Sequence, residues 1–109
     1  MSDRPTIVCL CGSTRFRDAF EDAGRAESLA GRIVVGPDVF SQADGLVLDD
    51  ETVRRLGELH RFKIDLADEV LVIDVDGYVG PTTQTEIANA QEREGRAVLV
   101  LDVGSARRV

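Results

Sequence analysis

Cysteine and histidine are scarce: the 109 residues include two cysteines, Cys9 and Cys11, and one histidine, His60. The cysteines stand two apart in a strand-like run, so their side chains share one face. A disulfide between such close positions is geometrically unfavourable, and a metal centre needs further ligands at suitable spacing. Buried free thiols are therefore expected. No apolar run approaches the length of a membrane span, and the opening Met-Ser-Asp-Arg-Pro lacks the apolar core of a signal peptide. The expectation is a cytoplasmic protein with no membrane partner. Basic clusters are missing as well: the net charge is −7, and the longest basic runs are pairs such as Arg54-Arg55 and Arg107-Arg108. Such a surface repels nucleic-acid backbones, whereas a free nucleotide needs only an arginine or two and a helix N-terminus.

What is present fits one globular domain over residues 1–109. Hydrophobic residues at 43% balance charged residues at 30%, too apolar a mixture for a disordered chain. Apolar, β-branched runs at 5–11, 32–36, 69–75 and 96–102 read as buried strands. Helical spacing joins Phe16, Ala19, Phe20, Ala23, Ala26 and Ala30, with Ser13 or Thr14 as the cap and Gly31 as the stop. A second helix is expected over 50–67, with Val53, Leu56, His60, Ile64 and Ala67 on one stripe. A third is expected over 83–94. The segment from Pro37 to about Leu46 reads as a long loop, and 103–109 as a short tail. Strands alternating with helices predict an α/β three-layer sandwich of the flavodoxin or Rossmann type, with a parallel sheet of four or five strands.

In such folds ligands bind at the carboxyl ends of the strands. That edge collects Gly12-Ser13-Thr14-Arg15, the Pro37–Gly45 loop, the Asp74–Pro81 loop and the Thr82–Glu86 helix start. Gly12 lets backbone approach an anion, Ser13 and Thr14 supply hydroxyls, and Arg15 can fork onto phosphate. The segment is neither a dinucleotide fingerprint nor a P-loop, and an ordinary capped turn has the same composition. Glu86, one turn into the last helix, can attack the anomeric carbon of a sugar; taken alone, Thr83-x-x-Glu86 reads first as a capping box, in which Glu reaches back to the cap N–H. Asp74 and Asp76 share one side of an extended chain and can act as general acid or hold a sugar hydroxyl; solvated turn residues look the same. They are no calcium loop, because Val79 and Thr85 occupy the positions that need Gly and Glu. Phe40 and Tyr78 can stack on a base or simply pack at loop edges. Gly80 and Thr82 complete the substrate-binding candidates.

Leu10–Phe16 (Leu-Cys-Gly-Ser-Thr-Arg-Phe), Leu59–Asp74 and Gly77–Ile87 together resemble the nucleoside 2-deoxyribosyltransferase-like proteins, which include nucleoside 5′-monophosphate N-glycosidases. The resemblance spans roughly residues 6–102. It implies a homodimer, N-glycosidic bond chemistry, no metal and no organic cofactor. Glu86 matches the catalytic glutamate of the family, and Gly12-Ser13 its phosphate loop, with Thr14 and Arg15 beyond. Asp74 and Asp76 both stand near its acidic partner, with no choice between them. The acidic residue of its preceding helix falls near His60. The transferases add a carboxylate from a neighbouring tail; here the tail ends Ala-Arg-Arg-Val. The resemblance thus implies an enzyme that cleaves or transfers at a (deoxy)nucleoside or its monophosphate, with hydrolysis favoured. The alternative is a nucleotide-binding domain that uses the same crevice without turnover.

Overall fold

The computed structural model describes residues 4–75, 84, 88 and 97–102. Among the described residues the elements follow in the order β1 (Ile7–Cys11), α1 (Arg17–Leu29), β2 (Ile33–Val35), α2 (Ser41–Asp44), α3 (Asp50–Leu66), β3 (Glu69–Asp74) and β4 (Ala97–Asp102). Gln84 and Ala88 are helical. All strand pairs are parallel, and the sheet runs β2-β1-β3-β4. The expected α/β architecture with an all-parallel, four-stranded sheet is therefore what the chain forms.

Strand alternation divides the core in two. Val8 and Leu10 of β1, with Leu71 and Ile73 of β3, meet Phe20 and Ala23 of α1 on one face. Cys9 and Cys11, with Val70 and Val72, meet Ile64 and Ala67 at the end of α3 on the other. Successive strand residues point to opposite faces, so a sheet covered on both sides must be apolar at every position. Val8, Val70, Val72 and Ile73 are at most 1% exposed, and burying such a side chain contributes about 1.5–3 kcal/mol.

The helix ends follow from local chemistry. Gly31 takes φ +89 immediately after the C-cap Ala30, a conformation that L side chains avoid. Asp49 caps α3 by accepting the Thr52 N–H at 2.8 Å. Asp68, just before β3, is fastened to β1: its N–H donates to Ile7 O at 2.8 Å, and its carboxylate accepts from Ile7 N and from Arg4 Nη1 and Nη2. Two expectations change. The stretch read as a loop from Pro37 to Leu46 contains the single turn α2. Val53, expected on the buried stripe of α3, is 54% exposed, and within the helix Ile64 alone is buried. No helix among the described residues is long and apolar enough to cross a membrane.

Candidate functional site

The chain leaves β1 in one direction to form β2 and pairs on the other side with β3, so the topological switch point lies between the carboxyl ends of β1 and β3. In an open parallel sheet this divergence opens the crevice used for ligands. Gly12 and Asp74 stand at its two walls. Gly12 is packed so closely that a Cβ there would lie 3.1 Å from Ile73 O and 3.2 Å from Ile73 Cβ. The residue is glycine because the ends of the two strands approach this tightly.

Beyond Gly12 the chain makes a turn, with Phe16 N–H donating to Ser13 O at 3.2 Å. Helix α1 starts only at Arg17, with Phe16 at its N-cap and no side-chain cap. The expectation that Ser13 or Thr14 caps α1 is thus corrected. Ser13 is buried; its Oγ accepts weakly from Arg15 N–H at 3.4 Å and donates to Gln42 Oε1 at 3.3 Å. Arg15 Nε donates to the same Gln42 oxygen at 3.4 Å. Thr14, half-buried, presents its carbonyl to Ala43 N–H at 3.3 Å. Two donors of the loop therefore converge on one oxygen of α2, in long and hence weak bonds.

Asp74 ends β3. It is half-buried, and its Oδ1 is buried with no hydrogen-bond partner among the described residues. A buried carboxyl oxygen left without a donor is costly, and a ligand hydroxyl or N–H placed there would relieve the cost. Asp76, Tyr78, Gly80, Thr82 and Glu86 lie outside the described residues.

Phe40 is half-buried. Its ring meets Phe20 edge to face at 5.3 Å, packs on the α1-side core, and carries the Arg17 guanidinium 5.4 Å above it. Arg17 also pairs with Asp44. Phe40 thus anchors α2 to the α1-side core, in line with the packing alternative. It also borders a mainly apolar cleft of 320 Å³ beside the end of β2, with Leu10, Phe20, Gly24 and Val34. Lys63 reaches this cleft from α3, donating to Gly36 O at 2.6 Å and lying 3.4 Å from Asp38.

Two features escaped the sequence. Gln42 carries no signal in its spacing; it matters because α2 folds over the Gly12 loop. The other is on the α3 face, where Cys11 Sγ lies 3.3 Å from His60 Nε2. Both thiols are buried and outside any disulfide, as expected. His60 was legible only as a member of the stripe that holds Ile64 and Ala67, the two residues that pack beneath the thiols. No protein family, curated protein or solved structure matches the chain.

Proposed function

We propose that the chain cleaves the N-glycosidic bond of a nucleoside 5′-monophosphate, or of the corresponding nucleoside, in the crevice between β1 and β3. One observation carries this reading: Ser13 Oγ and Arg15 Nε aim at one acceptor oxygen, and the unpartnered Oδ1 of Asp74 ends the neighbouring strand. A phosphate oxygen is a better acceptor for that donor pair than a neutral amide, because a charged acceptor roughly doubles the strength of a hydrogen bond. Phosphate thus replaces Gln42 on the loop, and Asp74 accepts from a sugar hydroxyl.

The bond-breaking step takes its nucleophile from the family resemblance of Gly80–Glu86. The Glu86 carboxylate attacks the anomeric carbon, the carbon–nitrogen bond breaks with its electrons moving to the base, and the base takes up a proton as it leaves. Water then hydrolyses the glycosyl ester, restoring the carboxylate and releasing the sugar phosphate. The test is base release from the common nucleoside monophosphates by the purified protein. The expected result is turnover that drops at least a hundredfold in Glu86→Gln. Turnover unchanged by that substitution rejects the nucleophile. Tight binding of an intact nucleotide with no turnover favours the binding-domain alternative instead.

A further inference from the structure

The face of the sheet opposite α1 carries a second cluster that the nucleotide reading leaves unused. Cys9, Cys11 and His60 bring two sulfurs and an imidazole nitrogen within 4.8 Å of one another. The geometry points to a binding site for a thiophilic divalent ion, with Zn²⁺ as its type, held by Cys9 Sγ, Cys11 Sγ and His60 Nε2. The donors come from two elements that the fold fixes independently. Strand alternation sets both thiols on the α3 side of β1. Helix α3 ends against the same strand through Ile64 and Ala67, which places His60, one turn before Ile64, over Cys11. Zinc–sulfur bonds near 2.3 Å and zinc–nitrogen bonds near 2.0 Å in a tetrahedral centre separate the ligand atoms by roughly 3.4–3.8 Å. The Cys11–His60 pair at 3.3 Å lies just short of that spacing, and closing the set from 4.8 Å takes movements of about an ångström shared among three side chains.

Thiolate and imidazole donors select soft and borderline ions over Mg²⁺ or Ca²⁺, which take oxygen. On binding, two thiol protons leave to solvent, two sulfur–metal bonds form, and the neutral imidazole donates its lone pair. Both cysteines are 0% exposed and His60 is half-buried, so the ion enters past the imidazole. It ties the last turns of α3 to β1 at Cys11, the residue before Gly12. The inference is independent of the proposed glycosidase activity.

The experiment uses the full chain, reduced, stripped with chelator and titrated with Co²⁺, then Zn²⁺. One equivalent of Co²⁺ is expected, with a thiolate-to-cobalt charge-transfer band that Zn²⁺ abolishes. Zn²⁺ at a hundred times its dissociation constant should raise Tm by on the order of 10 °C. His60→Gln should weaken binding at least tenfold, and Cys9→Ala should cut the charge-transfer intensity by about half, since one of two thiolates is lost. A titration with no charge-transfer band overturns the site. So does a band that is the same in wild type and in both variants, each checked for folding by circular dichroism.

Discussion

At Gly12 a single methyl group decides how closely two strands can end together. A Cβ there meets Phe20 Cζ at 3.0 Å, which can yield, and Ile73 O at 3.1 Å, which belongs to the backbone. Gly12→Ala should therefore destabilise the fold by about 1–3 kcal/mol, the usual cost of overpacking, seen as a lower urea midpoint at unchanged slope. Asp49 gives a pH signature. Hydrogen bonds from the Thr52 side chain, and then from its backbone N–H, hold the Asp49 carboxyl below its ordinary pKa of 3.8. A depressed folded pKa stabilises above the unfolded value and loses that stability as pH falls through the folded one. Asparagine caps as well as aspartate but does not titrate. The urea midpoint of wild type relative to Asp49→Asn should thus fall as pH drops below about 4, and be constant near neutrality. At this scale the thiols' burial was legible from their apolar run. The neighbour of Cys11 was not, because His60 lies 49 positions away and reaches it only through the packing of α3 on β1.

Among the elements, α2 is the one that changes the site. Its four residues are too few to print a period, so the sequence reads as a loop, yet its Gln42 collects both Ser13 and Arg15. The same contact explains why α1 begins later than its composition suggests. Ser13 spends its hydroxyl on Gln42 and on the local turn, and not on the helix N-terminus. Gln42→Glu would put a carboxylate on the two donors that the proposed function assigns to phosphate. Calorimetry should show nucleoside monophosphate binding weakened at least tenfold and binding of the parent nucleoside unchanged. Equal weakening of both ligands would place the phosphate elsewhere. The strands and long helices were legible because apolar runs and helical spacing report burial directly; α2 is positioned by Phe40 on Phe20 and by Arg17 on Asp44, contacts between distant positions.

For the whole molecule, the strand order matters most. The alternation of strand and helix predicts a parallel sheet, and the order β2-β1-β3-β4 fixes where its crevice opens. It puts the Gly12–Arg15 turn and Asp74 on neighbouring strand ends, although 62 positions separate Gly12 from Asp74. The sequence marked both segments as polar breaks after apolar strands; their adjacency belongs to the topology. The alternative ligand position is the apolar cleft beside Phe40, which carries Lys63 and Asp38 but none of the loop donors. The structure of the protein soaked with a nucleoside 5′-monophosphate distinguishes the two most directly. The account predicts a phosphate oxygen within hydrogen-bond reach of Ser13 Oγ and Arg15, with Gln42 displaced and a sugar hydroxyl on Asp74. A nucleotide seated in the Phe40 cleft, with Gln42 still on Ser13 and Arg15, would contradict it.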